Sequence, residues 1–454
     1  MRSRYGKAKA TSKPRARSKS TSAAASPALR RPFRGSYFKT PKCILLGGLI
    51  LRPPNASERG VKTTKNKKMR RPSAKSSPTP RKRKKRNAHM LGVPAVTIAV
   101  AAASLALPTT MFIAMPQTIT VGSFFTGMAG CHFSCQDIPG RDFATAFWVE
   151  KESVARKFLN ANLNVQGFHD VCDPSFLADA PHTDFVIGGF PCQTFSQNGR
   201  KAGIDDPRGV LVVFLLIYVR RSLPRMVLLE NVKNLMMAHM ETLIDILTIL
   251  KGIKDPETLQ PAYFVSFRVL NSMTHGGIPH HRERVYIVAI RKLRRAIRFV
   301  WPGPIPCCSP ASLLDRDRVK LSSYDVLLNN MPKGKTAQNN VRRAIEQVRS
   351  VAQSEGKHEM HYLPIVDLHS SALNMSLEYL PCLTEARGRA RAFWSLAHGG
   401  PLSTRELLRF QAFPTDLAIN VSAQQIGGML GNAFTCSVVR RIVEQMVRAA
   451  EGRT

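Results

Sequence analysis

Acidic residues are scarce in this 454-residue chain, and the shortage is greatest at its amino end. The whole chain has 30 Asp and Glu against 67 Lys and Arg, for a formal net charge of +37. Residues 1–90 contain 28 basic residues and a single acid, Glu58, so the remaining 364 residues carry only +10. An excess of this size favours a polyanionic partner, and the amino-terminal segment and the body must be considered separately.

Cysteine pairs with metal-site spacing are also missing. The nine cysteines are odd in number, are scattered along the chain and include no CxxC pair. This pattern argues against a disulfide framework and favours a reducing compartment. Cys131 with Cys135, His280 with His281, and Cys307 with Cys308 are close in sequence, but they do not make a paired ligand set with zinc spacing. We therefore predict no metal site.

Residues 1–90 lack apolar periodicity and consist largely of Arg, Lys, Ser, Ala and Pro. Such a segment cannot bury enough surface to offset the entropy of ordering, so we predict a disordered basic tail. Within it, RKRKKR at 81–86 is typical of nuclear localisation or of a nucleic-acid patch. We expect the nucleus, whereas the acid-poor start also fits a mitochondrial or plastid transit peptide.

The next segment, 91–115, has 25 uncharged residues and is long enough in principle to span a membrane. Most of it is Ala, Val and Thr, and Pro94 and Pro108 lie near its ends, so insertion into a bilayer is marginal. We predict an apolar Ala-rich linker over 91–117, with a hydrophobic presequence or a membrane anchor as alternatives. If the gene model is over-extended at its amino end, Met111 or Met115 would be an alternative start of translation.

From residue 118 onward, short apolar runs alternate with turns and amphipathic stretches, which indicates an α/β sheet. The predicted strands are 119–125, 143–150, 185–188, 226–230, 264–270 and 285–290. The helices predicted from this pattern are 131–138, 151–162, 209–221 and 240–250. Ligands of such sheets bind beyond the carboxyl ends of the strands.

Three features at predicted strand ends could bind a nucleotide-like cofactor. In FFTGMAGCHF at 124–133, Gly127 and Gly130 allow a tight turn and close approach of a ligand before the helix begins. Glu150 ends the next strand, at the distance of about 20 residues that is usual for a ribose-binding carboxylate. Asp170 could receive an exocyclic amine. Each feature taken alone also fits ordinary α/β packing or a solvated surface.

Two further features suggest covalent chemistry. Cys192, in the loop PCQTFS, could be a thiolate nucleophile if nearby cations lower its pKa. Glu230 ends the strand MVLLE 38 residues later and could hold a proton for a ring nitrogen if burial raises its pKa.

A pair of arginines, Arg282 and Arg284, stands at the start of a later predicted strand. The two are separated by one residue, so both side chains should point to the same side of the strand. Phosphate contacts or surface ion pairs are the alternative for these arginines.

In this order, FxGxxG, PCQTFS, ENV, RERVYIV, RELLRFQAFP and GNAF resemble the motif set of the cytosine-C5 DNA methyltransferases. The resemblance covers roughly 119–301 and 380–450. It implies an α/β fold with an S-adenosylmethionine-dependent methyltransferase (Rossmann-like) sheet and a small target-recognition domain. The expected division is a catalytic and cofactor-binding domain at 118–301, a target-recognition region at 302–380, and C-terminal motifs at 381–454 that return to the catalytic domain. The resemblance also implies helices at 404–410 and 437–450, which pack back on the catalytic sheet.

The resemblance implies a role for each matching residue. Cys192 would add to C6 of a cytosine flipped out of double-stranded DNA, and Glu230 would pair with N3 and the exocyclic amine. Arg284 would orient the pyrimidine oxygen, with Arg282 as its neighbour in the catalytic motif. The residues expected to bind S-adenosylmethionine are Phe125, Gly127, Gly130, Glu150, Asp170, Leu211 and Asn432.

Four departures from the family pattern are visible. Ala129 replaces the central glycine of the turn, which would cost on the order of 1 kcal/mol if the position requires a positive φ. His280 stands where glutamine is usual, and Ala412 where glycine is usual. The recognition segment is short, and RDRVK, KGK and VRRAIEQVR within it are candidate phosphate contacts or solvated helix faces.

Two other functions remain open from the sequence. One branch of the family methylates tRNA, but Phe195-Ser196 after PCQT favours DNA. A catalytically silent DNA-binding regulator would be expected to lack the nucleophile or the glutamate, and this chain keeps both.

Overall fold

The computed structural model describes residues 117–136, 138–191, 211–292 and 297–452. The basic tail, the apolar segment at 91–115 and the predicted nucleophile Cys192 lie outside these ranges. The described residues build a large sheet with helices on both faces and a smaller sheet beside it.

Seven strands form the main sheet: β1 (Thr118–Phe124), β2 (Asp142–Val149), β3 (Gln166–Phe168), β4 (Phe185–Gly189), β5 (Met226–Val232), β6 (Tyr263–Asn271) and β7 (Glu283–Arg291). Their spatial order is β3-β2-β1-β4-β5-β7-β6. The first five are parallel, whereas β7 runs antiparallel to β5 and β6. The strand order reverses between β1 and β4, which is where such sheets open a ligand crevice. The predicted α/β methyltransferase-like sheet is confirmed.

The strands form where apolar residues run without interruption, because both faces of this sheet are covered. In β5, MVLLE is buried at every position, and β7 is buried from Arg284 to Ile290. All six predicted strands are found within one or two residues of their expected bounds. The short strand β3 was not predicted, because its three residues, QGF, contain no apolar run.

Thirteen α-helices occur in the described residues: α1 (Gly130–Cys135), α2 (Ser153–Asn162), α3 (Pro174–Asp179), α4 (Leu211–Ser222), α5 (Asn234–Ala238), α6 (Met240–Gly252), α7 (Ser272–Gly276), α8 (Tyr324–Asn329), α9 (Lys335–Ser354), α10 (Glu385–Arg389), α11 (Thr404–Arg409), α12 (Ala423–Asn432) and α13 (Cys436–Ala450). One face of the main sheet packs against α4 and α6. The other face packs against α1 and α13. The six predicted helices are confirmed, with residues 209–210 outside the described ranges.

The smaller sheet has the order β11-β10-β8-β9 and consists of β8 (Ile365–Asp367), β9 (Met375–Ser376), β10 (Phe393–Ser395) and β11 (Gly400–Pro401). Helix α9 packs on it through Val341, Ile345 and Val348. Two of its strands precede residue 380 and two follow it, although the sequence places a boundary there. The pairing of β8 with β10 therefore joins the predicted recognition region to the C-terminal motifs.

No helix within the described ranges combines the length and apolarity needed to cross a bilayer. In the same part of the chain, no group of three or more His, Cys, Asp or Glu side chains is arranged to hold a metal ion.

Candidate active site at the carboxyl edge of the sheet

The main sheet brings the predicted site residues to one edge. Strands β1 to β5 end at this edge, and the antiparallel strand β7 begins there. The strand register pairs Gly189 at the end of β4 with Glu230 of β5, and Val232 of β5 with Arg284 of β7. The cofactor candidates follow β1, β2 and β3, and the catalytic candidates follow β4 and β5 or begin β7.

The turn after β1 has a left-handed backbone at three positions. The φ angles are 53° at Phe125, 55° at Gly127 and 57° at Ala129. The Ala129 N–H donates to Thr126 O at 2.9 Å, which closes the turn immediately before α1. The position where the family has glycine therefore does require a positive φ. Alanine accepts this conformation at a cost of about 1 kcal/mol.

The Glu150 carboxylate lies against this turn. Its Oε2 accepts the Gly127 N–H at 2.8 Å, and its Oε1 accepts the Glu152 N–H at 2.8 Å. Burial raises the pKa of Glu150, and these two N–H donors oppose the rise. A Cβ at Gly127 would meet only Phe125 O, at 4.0 Å, so the turn has free space on that side. A carboxylate beside an open glycine turn fits a bound nucleoside.

Asp170 lies further along the same edge, after β3. Its Oδ1 accepts the Cys172 N–H at 3.0 Å, and its Oδ2 pairs with Lys151 Nζ at 2.9 Å. Partial burial raises the pKa of Asp170, but the Cys172 N–H and Lys151 outweigh this effect, and the net pKa is lowered. Asp170 lines a cavity of about 220 Å³ together with Phe168 and Phe176. The carboxylate is therefore ionised beside a space that could hold part of a ligand.

Leu211, the first residue of α4, packs partly buried against the apolar cluster that contains Phe176. The assignment of Leu211 to the cofactor pocket stays a prediction.

Glu230 is held at the end of β5 with 8% of its surface exposed. Its Oε1 lies 3.1 Å from Arg284 Nε in an ion pair. Besides that contact, Oε1 accepts no hydrogen bond of good geometry from the described residues. Burial raises the pKa of Glu230, whereas Arg284 and Arg282 lower it, and the net direction is upward. A buried carboxyl with an oxygen to spare can exchange a proton with a ring nitrogen.

Arg282 does not share this role. Its guanidinium is buried and donates to three backbone carbonyls: Leu383 O at 2.6 Å, Gly431 O at 3.2 Å and Ala433 O at 2.7 Å. The prediction that Arg282 is a catalytic residue stays a prediction. Its burial argues against the alternatives of a phosphate contact or a surface ion pair. Arg282 is a positioning residue that fixes the C-terminal motif against β7.

His280, in place of the usual glutamine, bridges two segments in the interior. Its Nδ1 faces Phe410 O at 3.1 Å, and its Nε2 accepts the Leu383 N–H at 3.1 Å. Burial lowers the pKa of His280 well below its usual value, so the ring is neutral and Nδ1 carries the proton. A neutral imidazole offers one donor and one acceptor, as an amide does. His280 thus packs, as expected, whereas His281 is exposed beside Tyr379.

Two residues that the sequence analysis missed complete the geometry. The ring of Phe434 packs against both Gly130, after β1, and Gly189, at the end of β4. A Cβ atom added at Gly130 would lie 3.2 Å from this ring, and one added at Gly189 would lie 2.9 Å from it. Phe434 therefore lies between the cofactor candidates and the catalytic candidates. Asn231 donates to Phe190 O at 3.1 Å and fixes the backbone two residues before Cys192. Both residues belong to motifs quoted above, GNAF and ENV, which was the available signal.

Asn432 of the same GNAF motif is exposed, and its amide donates to Glu385 Oε2 at 3.1 Å. The residue of this motif that packs against Gly130 is Phe434. The assignment of Asn432 to the cofactor therefore remains a prediction. Cys192 cannot be placed, since it lies outside the described residues.

The sequence model of the C-5 cytosine-specific DNA methylase family matches residues 119–448, which include all the residues of the candidate site. The chain belongs to this family. It is a DNA (cytosine-5-)-methyltransferase, and S-adenosylmethionine is its methyl donor.

Similar proteins include bacterial enzymes and a protozoan one. The chain is 28% identical over 319 residues to the Type II methyltransferase M.NgoBI of Neisseria gonorrhoeae, covering 69% of this chain and 89% of that enzyme. It is 27% identical over 329 residues to M.HaeII of Haemophilus aegyptius, covering 72% and 92%. The solved structure of the Entamoeba histolytica methyltransferase EhMeth matches with a TM-score of 0.49 at 16% identity, covering 73% and 98%.

Proposed function

We propose that the protein methylates C5 of cytosine in double-stranded DNA through a covalent adduct between Cys192 and C6 of a flipped-out base. The observation that carries this proposal is the buried Glu230, whose raised pKa and ion pair with Arg284 fit a proton donor to a pyrimidine. Glu230 is paired in the sheet with Gly189, three residues before Cys192. This pairing supports the proposal, because the chain leaves β4 beside Glu230 and continues toward Cys192.

The chemistry needs both groups together, because C6 of cytosine is a poor electrophile until N3 gains a proton. Glu230 gives its proton to N3 while the Cys192 thiolate forms the bond to C6, and C5 becomes an enamine-like nucleophile. When bound, S-adenosylmethionine supplies an electrophilic methyl group on its sulfonium. Once C5 carries the methyl group, water takes up the C5 proton as the bond between C6 and sulfur breaks and the Cys192 thiolate leaves. N3 then returns its proton to Glu230. Arg284 holds the Glu230 carboxyl and faces the pyrimidine oxygen in this proposal.

The residues that would hold S-adenosylmethionine are those at the ends of β1, β2 and β3. Glu150 would accept the ribose hydroxyls, and Asp170 would accept the adenine amine. The free space at Gly127 and the cavity beside Asp170 fit such a ligand. Phe434 contributes a shared wall, because its ring contacts the positions of both Gly130 and Gly189.

DNA would be held mainly through its phosphates. In α9, Arg342 and Arg343 are exposed while Val341, Ile345 and Val348 are buried, so the basic side of the helix faces solvent. Arg318 of RDRVK does not contribute, because it pairs with the buried Glu406 at 2.7 Å. Because such binding neutralises phosphate charges and releases counterions, the affinity for DNA should fall steeply as the salt concentration rises. The target base must leave the duplex stack, at a cost of a few kcal/mol.

The test is methyl transfer by the purified full chain with labelled S-adenosylmethionine, on duplex DNA and on tRNA in parallel. We expect label in DNA at C5 of cytosine, and no label with Cys192→Ala. Cys308→Ala, which changes an exposed cysteine, serves as the matched control. Label in tRNA alone would favour the RNA-modifying alternative. Full activity of Cys192→Ala would disprove the covalent mechanism, and DNA binding without any transfer would favour a silent regulator.

We also propose that the protein acts in the nucleus, on the strength of the RKRKKR run at 81–86. A fluorescent fusion of the full chain should accumulate in nuclei, and replacement of the six cations by glutamine should abolish this. Accumulation in mitochondria or plastids would support the transit-peptide alternative instead.

A further inference from the structure

The segment that precedes α10 is fixed across the start of β7. The Leu380 N–H donates to Pro279 O at 2.8 Å, and the His281 N–H donates to Leu380 O at 2.9 Å. On the other side, the Leu383 N–H donates to His280 Nε2, and Leu383 O accepts from Arg282. Cys382 lies between these two bonded residues, so its backbone position is well determined.

The Cys382 thiol faces the guanidinium that binds the catalytic carboxyl. Its Sγ lies 4.0 Å from Arg284 Nη1, while Arg284 Nε lies 3.1 Å from Glu230 Oε1. Cys382 is half-buried, and the other charged group that acts on it is Arg282. One guanidinium therefore lies between two acidic groups, one of them the proposed proton donor.

We propose that Cys382 is a positioning residue: its sulfur and the Glu230 carboxyl share the guanidinium of Arg284, and the charge on that sulfur sets how strongly Arg284 draws the proton from Glu230. This inference rests on the proposed function, because it assumes that Glu230 donates its proton to the base. Cys382 does not touch the substrate in this proposal. It acts through Arg284.

The direction of the expected effect on Glu230 follows from the charges around Cys382 and Glu230. Burial raises the pKa of the Cys382 thiol, but Arg284 and Arg282 outweigh burial, and the net pKa is below the usual 9.0. Glu230 faces Arg284, Arg282 and the buried Tyr286. A thiolate beside Arg284 offsets part of the positive charge that draws the proton from Glu230. Loss of that negative charge should make Glu230 ionise at lower pH.

The first test is the pH profile of methyl transfer in single turnovers on a duplex oligonucleotide. On the alkaline side, the rate of methyl transfer should fall as Glu230 loses its proton, and we call this fall the alkaline limb. In Cys382→Ser and Cys382→Ala we expect the midpoint of this limb to lie about one pH unit lower than in the wild type. A shift of this size is expected from an electrostatic interaction over several ångströms at moderate dielectric. Cys382→Asp, which restores a permanent negative charge, should return the limb toward the wild-type position. Cys308→Ser is the matched control and should leave the profile unchanged.

An unchanged alkaline limb in Cys382→Ser, or a limb that Cys382→Asp does not restore, would overturn the proposal. A variant that merely weakens folding would lower the rate at every pH without moving the limb.

The second test does not require activity. In a Cys192→Ala background, iodoacetamide labelling of Cys382 is followed by peptide mass spectrometry as a function of pH. We expect half-maximal labelling below pH 9.0, the usual thiol pKa, and a shift upward in Arg284→Met. Labelling at or above the usual value would refute the inference. If labelling behaves as expected but no DNA is methylated, the proposed function fails while the thiol–arginine pairing stands.

Discussion

The two halves of the sheet edge hold their carboxylates by different means. On the side of β1 to β3, Glu150 is bound by two backbone N–H groups, on a turn whose shape is set by left-handed φ angles. On the side of β4, β5 and β7, Glu230 is bound by a side-chain guanidinium. Most substitutions leave a backbone N–H group in place, whereas a single substitution of Arg284 removes the guanidinium. Substitutions should therefore have graded effects in the cofactor half and severe effects in the catalytic half.

The largest effect is expected from Glu230→Gln. An amide of the same shape cannot give a proton to N3, and general acid catalysis contributes roughly 10²- to 10⁴-fold. The rate of methyl transfer on duplex DNA should fall by about that factor, while the affinity for S-adenosylmethionine stays close to wild type. Glu241→Gln, at an exposed position of α6, is the control. A fall of less than about tenfold would remove Glu230 from the mechanism.

Next in size is the loss of stability from Arg282→Met. This change removes the donor to the carbonyls of Leu383, Gly431 and Ala433, and each buried acceptor left without a partner costs about 1–3 kcal/mol. The free energy of unfolding in urea should fall by about 3 kcal/mol or more. Arg343→Met, on the exposed side of α9, should change it by roughly 0.5 kcal/mol or less. Equal effects of the two variants would contradict the assignment of Arg282 as a clamp.

In the cofactor half, Glu150 should make S-adenosylmethionine binding depend on pH. Its pKa is raised from 4.5 by burial, so the charged form that accepts hydroxyls is lost as pH falls through that raised value. Hydrogen bonds to a charged group contribute about 1.5–3 kcal/mol, so the Kd should rise roughly tenfold or more. Calorimetric titration from pH 8 downward measures this, and Glu150→Gln should give a flat profile.

The contribution of Glu150 to folding stability changes with pH in the opposite direction to its contribution to S-adenosylmethionine binding. Because its pKa is raised in the folded state, the folded protein binds this proton more tightly than the unfolded chain. The stabilising contribution is fully present below pH 4.5 and is lost as pH rises through the raised pKa.

In the binding experiment, a pH dependence of the Kd for S-adenosylmethionine in Glu150→Gln equal to that of the wild type would rule out this carboxyl as the titrating group.

The smallest effect is expected from Ala129→Gly, which relieves a left-handed alanine in the turn. Stability should increase by about 1 kcal/mol, and S-adenosylmethionine should bind somewhat more tightly. Ala412 offers a matched control, since its φ is 56° and it lies outside the turn. Ala412→Gly should raise the melting temperature without changing the Kd. A tighter Kd in both variants would show that the gain comes from overall stability and not from the turn.

The sequence predicted the elements whose signals are local. Strands such as β5 are continuous apolar runs, so the strand ends that carry the candidate site could be located from the sequence. The roles of the residues at those ends came from the resemblance to the family. The roles of Arg282 and Phe434 could not be predicted in this way. Arg282 binds carbonyls 101 to 151 residues away, and Phe434 packs against glycines in other motifs. The small sheet was missed because its strands have only two or three residues each.

The packing of α13 has a consequence for how the enzyme comes into being. Cys436, the first residue of α13, contacts Gly130 O across 306 residues of sequence, and the helix covers the sheet face beneath the glycine turn. During synthesis, the turn emerges from the ribosome long before its covering helix. A nascent chain therefore cannot cover this face of its main sheet until nearly all of the chain has been translated, so a premature stop codon a few dozen residues early should prevent the sheet from folding stably.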